Sequence, residues 1–307
     1  MNSIDIRKVA ILTLALAAMP VLDAAAPRTQ VLIVAGPSSH PPGTHEVDAG
    51  ARLLDWAVEN MDNVQGVRAE IVHQWPKDKT QLDGAATVVF IGDLFPPYRM
   101  PDSEAIINDL SVMMNRGVGI VCLHYANGLP AANVPPDGAH PLLRWLGGYF
   151  APRNQHHQSV ARVFESVIVT PAASDHPVSQ GWQEFTLSDE PYYNNYFGSD
   201  GNKMAPRVTA LATAMLPPEA PKREVIAWGV EREDGGRGFG IVMPHFYKNW
   251  ANEDLRRFIL NGVVWSAKRR VPQGGVRTPR PDLAAFDPGS VEPQPRTPAR
   301  KRAGEEK

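Results

Sequence analysis

The chain has 307 residues, 43% hydrophobic and 21% charged, with a formal net charge of −2. That composition excludes a disordered chain, and the near-neutral charge gives no attraction to nucleic acid or to an anionic membrane surface. Cys122 is the single cysteine, which excludes an internal disulfide.

Residues 1–26 read as a secretory signal. Arg7 and Lys8 precede an apolar run over 9–22, and Ala24, Ala25 and Ala26 offer small residues for cleavage. The run is too short to span a bilayer comfortably. A periplasmic or secreted protein with no integral membrane span after processing is therefore expected. Residues 27–270 are expected to form one α/β domain. In it, buried-strand runs at 30–35, 67–72, 87–91 and 118–123 alternate with helical patterns at 44–61 and 103–115. Continuous apolar strands between helices point to a flavodoxin-like, mostly parallel sheet sandwiched by helices. In the first helix Val47, Leu54, Ala57, Val58 and Met61 share a face, with Thr44 as the expected cap. Ser103 is the expected cap of the second.

The second half reads differently. A short helix at 141–146 precedes strand patterns at 159–170, 184–187, 208–214, 224–231 and 237–243. Asp234-Gly235-Gly236 gives a hairpin turn between the last two. Antiparallel strands added to the parallel core follow, closed by a helix over 252–266. From 271 to 307 the chain is rich in proline and basic residues and poor in large apolar ones, which predicts a disordered tail.

Residues able to do chemistry gather just past the strands. His40 and His45 follow the first strand, Asp93 the third, His124 the fourth and His245 the last. In a flavodoxin-like order the first, third and fourth strands are neighbours, so their loops converge on one crevice. Imidazole moves protons and binds metals near neutral pH. His124, Glu190 and His245 are thus the candidate catalytic residues. His40, His45, Glu46, Asp93, Tyr193, Asn194 and Trp250 are the candidate substrate contacts. The segments 188–195 and 243–250 mix polar groups with aromatic rings, a set that suits sugar hydroxyls and the apolar face of a sugar ring. No HExxH spacing and no nucleotide-binding glycine motif occurs. A divalent metal still suits this residue set, with His45, His124 and Glu190 as candidate ligands from a pool that includes His40 and His245. Cys122 lies inside a strand and reads as a packed small hydrophobe.

Several stretches in order carry a resemblance. They are Gly36 to His40, Gly43-Thr44-His45-Glu46, Arg116 to Ala126, Asp175-His176-Pro177, Asp189-Glu190-Pro191-Tyr192, and Trp228 to Trp250. Together, over about 31–267, they resemble the trehalose-utilisation (ThuA-like) family. The resemblance implies a class I glutamine amidotransferase-like fold, with His124 near the position of the amidotransferase cysteine, so glutaminase chemistry is not expected. It implies an enzyme of carbohydrate metabolism acting on small 3-keto-sugars or 3-keto-glycosides, alongside a sugar oxidoreductase. The chemistry would be isomerisation or elimination by proton abstraction next to the ketone. Two other readings stay open: a non-catalytic carbohydrate- or partner-binding module, and a metal-dependent glycoside hydrolase. Pro244 stands where the family usually has glycine, so the backbone before His245 has no N–H to offer.

Overall fold

The computed structural model describes residues 28–295. The signal-like segment 1–26 and the last residues of the tail, 296–307, lie outside the described residues.

Strands β1 (Thr29–Ala35), β2 (Val67–Val72), β3 (Ala85–Ile91) and β4 (Gly119–Leu123) alternate with helices α1 (Val47–Glu59), α2 (Lys79–Asp83) and α3 (Ser103–Asn115). The second half adds α4 (Pro141–Leu146), β5 (Phe164–Pro171), β6 (Phe185–Asp189), β7 (Val208–Leu216), β8 (Lys222–Glu231), β9 (Arg237–Ile241) and α5 (Glu253–Ser266). The nine strands of the described residues form one sheet in the order β2-β1-β3-β4-β9-β8-β7-β5-β6. The neighbours β2-β1, β1-β3, β3-β4 and β4-β9 are parallel. From β9 outward every pairing is antiparallel.

The reason is legible in burial. Val31, Leu32, Ile33 and Val34 are fully inaccessible, as are Ile120, Val121 and Cys122, because helices cover both faces of the parallel part. Helix α5 is buried nearly all round, and Asn252 caps it by accepting from the Leu255 N–H.

Some local expectations change. Thr44 does not cap α1, because its hydroxyl donates to the Pro41 carbonyl and Glu46 takes the cap position. Asp102, not Ser103, is the cap residue of α3. Strand β5 starts at Phe164, and Val160 makes an isolated bridge to Tyr193 instead of extending it.

The expected disordered tail is corrected over residues 271–295. Val276 and Leu283 are buried, and the Val276 N–H donates to Asn261 Oδ1 at 2.8 Å. Arg52 donates to the Phe286 carbonyl at 2.6 and 3.0 Å, while Phe286 packs on Trp56. Gly43 has φ +82°, and a Cβ there would lie 2.2 Å from the Glu292 carbonyl oxygen. A composition poor in apolar residues hid a few well-spaced anchors, each with a ready socket on α1 or α5.

Candidate functional site

The carboxyl ends of β1, β3, β4 and β9 open on one crevice, as the parallel order requires. The loop between β1 and α1 brings His40 and His45 there, and Asp93 stands just past β3. His124 follows β4 directly. His45 and His124 both take the left-handed backbone region, at φ 43° and 47°. Such conformations cost on the order of 1–3 kcal/mol each and persist only where the surroundings enforce them. Around His124 the enforcement is visible: the buried Asn127 amide donates to the carbonyls of Cys122, His124 and Ile241, tying the ends of β4 and β9 together. The His45 N–H donates to the His245 carbonyl at 3.0 Å.

Glu190 arrives from the far edge of the sheet, after β6. The staple is Asp189, which is inaccessible and accepts from the N–H groups of Glu190 and His245, each at 2.8 Å, and of Phe246 at 3.3 Å. Burial pushes the Asp189 carboxyl up to about 6, against the lowering effect of those hydrogen bonds.

The side chains form two linked groups. In the first, Asp93 accepts from His45 Nδ1 at 2.6 Å with one oxygen, and from His40 Nδ1 and the Ser39 N–H, at 2.9 and 2.8 Å, with the other. Burial alone would raise the Asp93 carboxyl. The hydrogen bonds from His40 and His45 outweigh it and hold the group well below the usual carboxylate range. In the second group His124 Nε2 lies 2.8 Å from His45 Nε2, 3.1 Å from His245 Nδ1 and 2.9 Å from the Tyr192 hydroxyl. Glu190 Oε2 is 3.3 Å from His245 Nδ1 and 3.9 Å from His124 Nε2. His124 Nδ1 must donate to the Val242 carbonyl at 2.9 Å, since that oxygen can only accept. Burial first, then the neighbouring His45 and His245, lower the His124 pKa well below the ordinary imidazole value. His45, His124, Glu190 and His245 each present one donor atom, all within 4.8 Å of one another, a set able to hold a metal ion.

A cleft of about 570 Å³ reaches His40 and Glu190 of these groups, with Tyr125, Phe150, Arg153 and Tyr192 also in its wall. His45, His124 and His245 line a smaller cavity of about 30 Å³, together with Trp250.

Of the expected site residues, His40, His45, Asp93, His124, Glu190 and His245 come together. Pro244 has not displaced the His245 ring. Four expected substrate contacts are placed elsewhere. Glu46 accepts from the N–H groups of Gly43, Gly289 and Ser290, so its carboxylate fastens the C-terminal segment. Tyr193 pairs with Val160 and packs near Phe164, away from the histidines. Asn194 is exposed and donates to Glu224 and the Gln158 carbonyl. Trp250 is buried behind the cluster, not in the cleft. Tyr192, whose ring stacks on His124 and Phe150, was missed, as was Tyr125. Only their neighbours in sequence signalled them: Tyr125 directly follows His124, and Tyr192 stands two residues after Glu190.

Comparison with known proteins agrees with this architecture. A ThuA-like protein from Bacteroides uniformis superposes with a TM-score of 0.56 at 17% identity, over 81% of this chain and 95% of that one. Another, from Parabacteroides merdae, gives 0.52 at 14% identity, over 83% and 98%. A glutamine amidotransferase from Thermotoga maritima gives 0.41 at 10% identity, over 78% and 96%. No curated protein matches the chain. The family model for ThuA, described as trehalose utilisation, matches residues 30–266. The chain belongs to the ThuA family, a carbohydrate-related family with a mostly parallel first half and antiparallel strands after it.

Proposed function

We propose that the chain is an enzyme acting on 3-keto-sugars or 3-keto-glycosides, removing the proton on the carbon next to the ketone to begin isomerisation or elimination. The observation that carries this reading is the placement of an oriented histidine beside a convergent polar cluster under one cleft. His40 donates through Nδ1 to Asp93, leaving Nε2 to accept a proton, and its ring lines the cleft. It is the base here. His124, a candidate catalytic residue from the sequence, is not the base, because both its nitrogens face protein groups. A general base of this kind contributes roughly 10²- to 10⁴-fold.

Removing the proton moves negative charge onto the ketone oxygen, forming an enolate. His45, His124, His245 and Glu190 form the electrostatic floor against which that charge is held. Tyr125, half-buried in the cleft wall, gives the apolar face of a pyranose something to stack on, and Arg153 offers hydrogen bonds at the rim.

The test is incubation with a 3-keto-glycoside in ²H₂O, followed by NMR. Deuterium appearing on the carbon beside the ketone, and lost in His40→Ala, is the expected result. Cleavage of unoxidised glycosides with no exchange would overturn the proposal in favour of a hydrolase.

A further inference from the structure

We infer that His45, His124, His245 and Glu190 form a mononuclear site for a divalent first-row transition metal, with zinc as the reference ion. This rests on the same site as the proposed function and names what holds the charge there.

Tautomers carry the argument. A carbonyl fixes the proton of His124 on Nδ1, so its Nε2 bears a lone pair. Asp93 likewise takes the Nδ1 proton of His45. These two Nε2 atoms face each other at 2.8 Å, and His245 Nδ1 stands 3.1 Å from that of His124. A cation at the common centre serves all four at once.

The distances suit this. For metal–nitrogen bonds of about 2.0–2.1 Å, tetrahedral ligand atoms lie roughly 3.4 Å apart. The separations here include 2.8, 3.1, 3.3 and 3.9 Å, with every pair within 4.8 Å. Three imidazoles and one carboxylate are a donor set for zinc, iron, cobalt or manganese rather than for calcium or magnesium.

The outer contacts complete the picture. Metal-bound histidines hand their other N–H to a carboxylate or carbonyl, which fixes the ring and raises its donor strength. Asp93 does this for His45 and Val242 for His124. In the neighbouring group, His40 and His45 both turn Nδ1 to the Asp93 carboxylate, which serves as the outer contact of this site.

The experiment is calorimetric titration of the untagged, chelator-stripped full chain with Zn²⁺, repeated with Co²⁺ to read the visible spectrum. One ion per chain and a tetrahedral cobalt spectrum are expected. His124→Ala and His245→Ala should each abolish binding, His40→Ala should keep one ion, and Asp93→Asn should weaken affinity roughly 10- to 100-fold. Circular dichroism melts of the apo forms check folding. Glu190→Gln, nearly isosteric, asks the same question if an alanine variant does not fold, and should weaken zinc and alter the cobalt spectrum. No binding by the wild type would overturn the inference, as would unchanged binding in the folded ligand variants. Zinc binding without deuterium exchange on 3-keto-glycosides leaves this site standing and removes the functional reading. Exchange by a chain that binds no ion does the reverse.

Discussion

Two sets of histidines use the same ring in opposite ways. At the starts of two short helices, His140 and His176 each precede a proline, and each accepts through Nδ1 from the N–H two residues on, at 3.0 and 3.2 Å. Their lone pairs are spent on backbone that the helix start leaves without a partner. At the strand ends, His45 and His124 donate through Nδ1, to Asp93 and to the Val242 carbonyl. Their Nε2 atoms point at a shared centre, 2.8 Å apart. Burial therefore does not separate a functional histidine from a structural one; the partner of the other nitrogen does.

The contrast can be broken from either side. Removing His40 should have the largest effect, lowering turnover of a 3-keto-glycoside roughly 10²- to 10⁴-fold, read as deuterium exchange. His124→Ala should lower kcat roughly 10²- to 10³-fold, the usual cost of losing stabilisation of a developing oxyanion. If either change leaves exchange intact, the strand-end set is structural after all.

A stability measurement sharpens the other side. Burial pushes the His140 pKa down to about 4, against about 6.5 in an unfolded chain. Between these values the unfolded state binds more protons. The stability gained by keeping His140 neutral is thus fully present above about pH 6.5 and lost as pH falls through that window to about 4, a change of about 3 kcal/mol. His140→Asn, which can cap without titrating, should flatten that part of the pH dependence in urea denaturation and leave activity unchanged. An unaltered slope would deny His140 this role. Last in size, His176→Ala should cost about 1 kcal/mol, as lost caps do, with no change in turnover.

The same contrast explains how much was legible in the sequence. The parallel half could be read because apolar runs ended by Gly36-Pro37 and Gly92-Asp93 mark strands and their exits, and the sheet order then gathers His40, His45, Asp93 and His124. What each ring nitrogen touches is tertiary and leaves no trace in spacing. Tyr193 was preferred over Tyr192 in an extended segment where successive side chains point to opposite faces, so an error of one residue reversed the side chosen. Glu46 lies beside His45 and shares its loop, but its carboxylate serves Gly289 and Ser290, more than 240 residues away in sequence. Glu190 reached the site only through the Asp189 staple, a buried contact between β6 and the loop after β9 that no periodicity announces.

The most direct test of lone pairs meeting at one point is anomalous diffraction at the zinc edge from crystals soaked in Zn²⁺. The account predicts a single strong peak about 2.0–2.1 Å from His45 Nε2, His124 Nε2 and His245 Nδ1, and bonded to Glu190. A peak on the His40 and Asp93 side, or none at saturating zinc with the four side chains in place, would contradict it.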